Sequence, residues 1–263
     1  MNNSSKVNVS NPFVFTHKTP LMQRLADLVR SGHTQYVMGT IPIEKAGFLA
    51  YKFETQFRTN IGKVEACRAR QRGESSSRLL FLHQADNDHL TWVLLFQPGV
   101  TPDHSGQKWR DALTDKIILT NYELVRHTRA GSGKPAWTWR YTQKQYDLLR
   151  DAIISVVRSK QDESLRQVMH SIARSLGFAG IREQVKKLNA LIRAEWKRRR
   201  AKSEAMPEPA YHGYTRRFAD RGCRLSELRL SAGQKNMVSS GAKGAVSLSR
   251  GVMPHVGNGT VTG

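Results

Sequence analysis

Hydrophobic positions in the first third of the chain switch between a helical period and a strand-like alternation. Residues 21–31 predict a short helix that ends at Gly32, and residues 36–41 alternate as a strand does. Apolar positions between residues 46 and 57 then suit a helix with one buried stripe. The basic segment 58–78 that follows predicts either a helix or a loop.

Two β-hairpins dominate the middle of the pattern. Residues 78–84 and 90–98 are strongly apolar and flank the polar turn ADNDH, and residues 121–128 and 136–142 flank the glycine-rich turn RAGSGKP. A short helix is expected between the hairpins, at residues 107–113. This order of elements predicts an α+β fold with a ferredoxin-like, split βαββαβ antiparallel sheet to which a fifth strand is added.

After Thr142 the period becomes helical. Thr142 and Gln145 have the spacing of a capping box, and apolar stripes predict helices over residues 146–157 and 165–176. A third helix is expected over residues 181–203, as part of a C-terminal helical layer. Beyond this helix the chain is rich in glycine and serine, which is typical of a disordered basic tail.

These patterns divide the chain into four parts. We expect a flexible leader over residues 1–20, an α+β core over 21–142, a helical region packed on that core over 143–205, and a largely disordered basic tail over 206–263.

The charge balance indicates a protein that binds polyanions. The 263 residues include 42 Lys and Arg against 21 Asp and Glu, a formal net charge of +21, while 39% hydrophobic residues suffice for a folded core. Such a charge favours nucleic acid as a partner. The sequence has neither an apolar span nor a signal peptide, so it predicts a cytoplasmic protein without a membrane partner.

Catalytic and metal-binding patterns are sparse. The two cysteines, Cys67 and Cys223, have no zinc-like spacing, and phosphate-binding or dinucleotide-binding glycine loops are missing from the sequence. We therefore expect no cofactor, no metal and no assignable catalytic residue. A metal-independent ribonuclease would need a single histidine as general acid or base, and His33, His83 and His127 are the candidates.

The predicted third helix carries the main candidate site. Its apolar residues predict packing on the core, and its basic residues predict a continuous outward strip that contacts phosphates. The alternative is a solvated helix whose charges only aid solubility. The candidate nucleic-acid-binding residues on this helix are Arg182, Lys186, Lys187, Arg193, Lys197, Arg198, Arg199 and Arg200.

A second basic segment supplies Arg68, Arg70 and Arg72 as further candidates, with a mobile surface loop as the alternative. In the string PAWTWR, Trp137 and Trp139 point to one face of the predicted strand. They would stack on bases if exposed, but five tryptophans in a chain of this size favour a place in the core.

The strings LTWVLLFQPG, NYELVRHTRAGSGKPAWTWR and GFAGIREQVKKLNALIRAEWKR resemble a family of proteins with no assigned activity that is carried on bacterial integrative conjugative elements and plasmids. PAWTWR and GFAGIREQV are the most specific parts of a likeness that covers about residues 36–218. The resemblance implies a mobile-element setting of DNA maintenance, transfer or defence, and it supplies no catalytic residues.

Three functions remain open from the sequence. The first is a nucleic-acid-binding accessory protein of a mobile genetic element, acting with a larger element-encoded protein complex. The second is a metal-independent endoribonuclease, similar in layout to the repeat-processing enzymes of CRISPR systems. The third is an interaction protein that docks an acidic partner. Whether the nucleic acid is DNA or RNA, single or double stranded, is also open.

Overall fold

The computed structural model describes residues 9–85, 87–99, 107–128 and 133–228. The chain divides into two compact units, residues 1–225 and 226–263, and every element named here belongs to the first. In chain order the elements are β1 Phe13–Phe15, α1 Lys18–Arg30, β2 Gln35–Pro42, α2 Ala46–Phe57, α3 Lys63–Gln71, β3 Ser76–His83, β4 His89–Gln97, β5 Arg110–Asp111, β6 Ile118–Leu119, β7 Tyr122–Thr128, β8 Pro135–Tyr141, α4 Gln143–Arg158, α5 Asp162–Ala173, α6 Ala179–Arg199 and β9 Gly222–Arg224.

A mixed sheet of six strands forms one half of the fold, in the order β5-β2-β4-β3-β1-β9. The predicted hairpin β3–β4 lies at its centre, and β2 pairs antiparallel with β4 over its whole length. Consecutive residues Val93 to Phe96 of β4 are all buried, because α2 covers one face of the sheet and the main core covers the other. This continuous apolar run is the pattern of a strand covered on both faces.

The second predicted hairpin forms a separate antiparallel sheet in the order β6-β7-β8. Helix α1 lies between the two sheets, since it packs against β1 and β3 on one side and against β8 on the other. Trp139 of β8 is fully buried there, and its Nε1 donates to the Met22 carbonyl at 2.8 Å. The expectation that this tryptophan belongs to the core is confirmed.

The α+β class is confirmed, whereas the single split βαββαβ sheet is not. Both edges of the six-stranded sheet are occupied by short strands, β5 beside β2 and β9 beside β1. The second hairpin joins neither edge, and it packs across α1 instead. The short strands consist of two or three residues each, too few to leave a periodic signal in the sequence.

Three local expectations are corrected. The helix expected over residues 107–113 is wrong: β5 pairs with β2, and the Asp111 side chain then accepts a hydrogen bond from the Leu113 amide in a turn. The flexible leader is wrong from residue 13 on, where apolar side chains form β1 parallel to β3. The tail is ordered through β9, which pairs with β1. Residues 1–8 and 229–263 lie outside the described residues.

The helical layer follows the sequence pattern closely. Thr142 caps α4 by accepting a hydrogen bond from the Gln145 amide at 3.3 Å, as the capping-box spacing predicts. Helices α4, α5 and α6 contribute buried side chains to the same core as α1 and β8. None of the helices in the described ranges combines the length and the apolar character that a membrane-spanning segment requires.

Candidate nucleic-acid interface

Helix α6 is fixed to the second sheet by its apolar stripe and by a close backbone approach. Val185, Leu188, Ile192 and Trp196 are buried, which confirms the predicted packing of this helix on the core. At its start, the Gly180 amide donates to Thr138 Oγ1 at 3.2 Å. The helix is therefore a rigid support for the side chains on its other faces.

Four basic residues of α6 form one row, which we call the cationic row: Arg182, Lys186, Arg193 and Lys197. At about 100° per residue these positions fall within an arc of about 60°, so they share one face of the helix. Among the described residues, Lys186, Arg193 and Lys197 have no carboxylate within ion-pair distance. The row is thus a line of cations available to an anionic ligand.

The remaining basic residues of α6 do not extend this row, so the predicted continuous strip is wrong. Lys187 pairs with Glu183 at 2.9 Å, and Arg198 pairs with Glu195. Arg199 is exposed near the helix end, and its charge helps to lower the pKa of Glu195 after the larger effect of the Arg158 hydrogen bond. Two cations predicted to project freely are therefore held by carboxylates one helical turn away.

Arg200 departs furthest from its predicted role. Its side chain is only 4% exposed, it pairs with Asp162 and with Glu204 at 2.8 Å, and its guanidinium lies over the Trp196 ring at 4.5 Å. Arg200 therefore ties the end of α6 to the start of α5. As placed, it is a structural residue rather than part of an exposed strip.

The second basic segment lies on a different part of the fold. Helix α3 packs against β3 of the six-stranded sheet, while α6 packs against β8 of the other. Arg72 is engaged by Glu74 at 2.5 Å and by Glu65 at 3.1 Å, and this hydrogen bonding holds the pKa of Glu74 below its usual range. Arg70 donates from Nε to the Ala66 carbonyl at 3.3 Å, and Arg68 is exposed.

A segment that the sequence assigns to the disordered tail forms the second wall of the site. We call residues 209–221 the strap. Near its middle, the Thr215 amide donates to the Gly177 carbonyl at 3.0 Å, and the Gly177 amide donates to Thr215 Oγ1 at 2.7 Å. Further along, Gln23 of α1 donates to the Arg216 carbonyl at 2.8 Å and accepts from the Phe218 amide at 3.0 Å.

The strap and α6 enclose a cleft of about 560 Å³. One wall carries Arg182, Lys186 and Arg193, and the other carries Tyr211 and Tyr214. Tyr211 is 86% exposed and Tyr214 is 61% exposed, unusually open positions for large aromatic side chains. The cleft therefore pairs cations with open aromatic faces.

Polar contacts organise the floor and rim of the cleft. The Arg182 guanidinium lies 3.5 Å from the centre of the Tyr214 ring, a cation–π stack that orients both side chains. His127 donates from Nε2 to Glu183 at 3.0 Å. A hydrogen bond from Lys187 lowers the pKa of Glu183, and the electrostatic interaction with His127 lowers it by a smaller amount. His212 is anchored by its Nε2, which donates to the Ser175 carbonyl at 3.0 Å.

The three histidines proposed from sequence lie in different settings. His33 is buried between Ser31 and Ser76, and burial followed by the charge of Arg78 lowers its pKa to about 4. His83 contacts the Asn87 carbonyl at 2.9 Å in the hairpin turn. His127 alone of these three lines the cleft.

Sequence reasoning missed Tyr211, Tyr214 and His212. The available signal is the string PAYHGYTRRF, which interleaves aromatic and basic residues inside a segment whose overall composition is that of a tail.

Metal-ligating side chains are not clustered in the described part of the chain. No group of three or more His, Cys, Asp and Glu side chains is placed there to hold a metal ion, and Cys67 and Cys223 are not joined in a disulfide. No protein-family model, no curated protein and no solved structure matches the chain.

Proposed function

We propose that the protein binds single-stranded nucleic acid in the cleft between α6 and the strap. The observation that carries this proposal is the arrangement of the cleft: Lys186 and Arg193, which have no carboxylate partner in the described part of the chain, line one wall, and the exposed Tyr211 and Tyr214 line the other. Phosphates are attracted by Lys and Arg regardless of sequence, and bases stack on aromatic side chains. A site that offers both is suited to a strand whose backbone and bases are accessible together.

The tyrosines favour an unpaired strand over a duplex. In a double helix each base face is covered by its neighbours, so a tyrosine can stack only on a base that is unpaired or splayed out. Tyr211 is exposed enough to receive such a base, and Lys186 and Arg193 lie along the facing helix to contact phosphates. Contacts of this kind position a strand without reading its sequence.

The biological setting is a second part of the proposal. The likeness of PAWTWR and GFAGIREQV to proteins of conjugative elements supports an accessory role in a mobile element, in contact with a larger element-encoded complex. A plasmid-transfer or maintenance assay tests this part: a variant that no longer binds nucleic acid in vitro should reduce transfer or maintenance of its element.

Fluorescence anisotropy with labelled single-stranded DNA, single-stranded RNA and duplex tests the binding. The decisive variant is Lys186→Gln/Arg193→Gln, and its matched control is Lys187→Gln/Arg198→Gln, which removes two ion-paired charges from the same helix. Measured between about 50 and 200 mM salt, the first variant should flatten the slope of log K against log salt by about 1.4, or 0.7 for each phosphate that is no longer neutralised. The control should change the slope much less.

The aromatic contribution has its own variant. Tyr211→Ala removes an exposed ring with few native contacts and should weaken binding by about 1–3 kcal/mol without altering the salt slope. Equal losses from both charge pairs, or duplex bound as tightly as single strands, would reject the proposal.

A second candidate function rests on one residue. His127 lines the same cleft and is held by Glu183, the arrangement of an oriented general base, so a metal-independent endoribonuclease also fits the site. Labelled RNA incubated with EDTA tests it: cleavage that disappears in His127→Ala and with a 2′-deoxy substrate supports the enzyme. If the RNA stays intact, the endoribonuclease is rejected and only the binding function remains.

A further inference from the structure

The cleft is not a closed chamber, because one strap residue lines both it and a second hollow. Ala210 borders the cleft and also a hollow of about 270 Å³ that Arg166, His170 and Pro207 help to form. Arg166 and His170 in turn border a third hollow of about 630 Å³ that extends along α5 to Arg174. The surface therefore runs from α6, over the strap at Ala210, and onto α5.

The α5 part of this surface has the character of the cleft wall. Arg166 and His170 of α5 and Arg174, which directly follows the helix, are spaced by four residues, so they lie in one row on the exposed surface. Glu163 pairs with Arg166 at 3.1 Å, and Glu208 borders the smaller hollow. Arg174 has no carboxylate within ion-pair distance among the described residues, and Gln167 and Ser171 add hydrogen-bonding groups along the row.

Tyr211 marks the point where the surface crosses the strap. It follows Ala210 directly, and it is the most exposed of the large apolar side chains described. A base stacked on this ring would direct the backbone on one side toward α6 and on the other toward α5.

We infer that a bound single strand crosses the strap at Ala210 and Tyr211, and that Arg166 and Arg174 bind the phosphates of its far segment. This inference rests on the proposed function, and it assigns a second subsite to it. At 1.5 Å per residue, the part of the cationic row that lines the cleft, from Arg182 to Arg193, spans about 16 Å. The row from Arg166 to Arg174 spans about 12 Å. At about 3.4 Å per stacked nucleotide, the two rows together accommodate about eight nucleotides.

Strand length separates the two subsites in an experiment. Oligonucleotides of about 4 and 16 nucleotides, the range of single-strand site sizes, are titrated against the full chain and its variants. The test variant is Arg166→Gln/Arg174→Gln. Its matched control is Lys144→Gln/Arg150→Gln, which removes two exposed charges from α4.

The test variant should weaken binding of the 16-mer and flatten its salt slope by about 0.7 for Arg174, which is unpaired among the described residues, with a smaller addition from Arg166, whose charge is paired with Glu163, while binding of the 4-mer stays unchanged. The control should alter neither. An equal response of the 16-mer to both pairs, or an equal loss for the 4-mer, overturns the inference.

The same titration separates this inference from the function on which it rests. If Lys186→Gln/Arg193→Gln weakens the 4-mer but Arg166→Gln/Arg174→Gln leaves the 16-mer unaffected, the cleft binds nucleic acid and the second subsite is refuted. If neither length binds, both are refuted.

Discussion

The substitution Gly177→Ala tests the docking of the strap, on which the cleft depends. A Cβ at this position would lie 2.1 Å from the Gly213 carbonyl oxygen and 2.6 Å from the Thr215 nitrogen. Both atoms belong to the backbone, so no change of side-chain rotamer can relieve the overlap. The strap must therefore move away from Gly177.

The cost follows from the hydrogen bonds that this movement breaks. The two hydrogen bonds between Gly177 and Thr215 contribute about 1 kcal/mol each, so the free energy of unfolding should fall by about 2 kcal/mol. For a chain of this size, each kcal/mol lowers the thermal midpoint by about 2–4 °C, which gives a fall of about 4–8 °C. Local release of the strap limits the loss, because the rest of the core can stay folded.

Hydrogen exchange distinguishes local release from global destabilisation. The Thr215 and Phe218 amides donate to Gly177 and Gln23, so both should exchange faster in Gly177→Ala, together with a loss of oligonucleotide affinity as the tyrosine wall moves. Gly62→Ala is the matched control, since a Cβ there meets nothing within 4 Å. Unchanged exchange, midpoint and affinity in Gly177→Ala would refute the docked strap.

Three further substitutions test the rest of the structure. Gly180→Ala places a Cβ 2.7 Å from the Trp139 carbonyl oxygen and should lower the free energy of unfolding in urea by about 1–3 kcal/mol; an unchanged value contradicts the close packing of α6 on β8. The pKa of His33 is about 4 in the folded protein, below its ordinary value of 6.5, so the unfolded state takes up the proton first and stability falls by up to about 3 kcal/mol as pH drops through this window. His33→Gln should flatten that pH dependence in urea unfolding, whereas the exposed His89→Gln should not. Arg200→Gln should lower the thermal midpoint by stranding its two carboxylate partners, yet leave the salt slope of binding unchanged; a slope reduced by about 0.7 would instead place Arg200 on a phosphate.

The sequence predicts the long elements well because their periods extend over many residues. The helices α4, α5 and α6 and the hairpins β3–β4 and β7–β8 all lie within a few residues of their predicted positions. The short strands β1, β5 and β9 leave no such pattern, yet they extend the six-stranded sheet on both sides, with β5 and β9 at its edges. A topology can therefore depend on the segments that carry the least periodic information.

In the candidate site, contacts between residues close in sequence could be predicted, whereas contacts between distant residues could not. The pairs Glu183–Lys187 and Glu195–Arg198 are spaced by four and three residues, so helical geometry alone could have removed these cations from the predicted strip. One of the two partners of Arg200, in contrast, is 38 residues away in Asp162. The strap was harder still to predict, because its order depends on contacts with α1 about 190 residues earlier in the chain.

Helix α1 explains how two walls so distant in sequence can form one cleft. Its Met22 carbonyl accepts from Trp139, and the neighbouring Thr138 of the same strand accepts from the Gly180 amide at the start of α6. Its next residue, Gln23, holds the strap through two hydrogen bonds and is itself buried. Adjacent residues of one buried helix therefore position both walls. A strap held only by surface ion pairs would add little stability and would let the tyrosines drift. Because the strap is hydrogen-bonded to the same helix that supports α6, the spacing between the tyrosines and the cationic row is a property of the core.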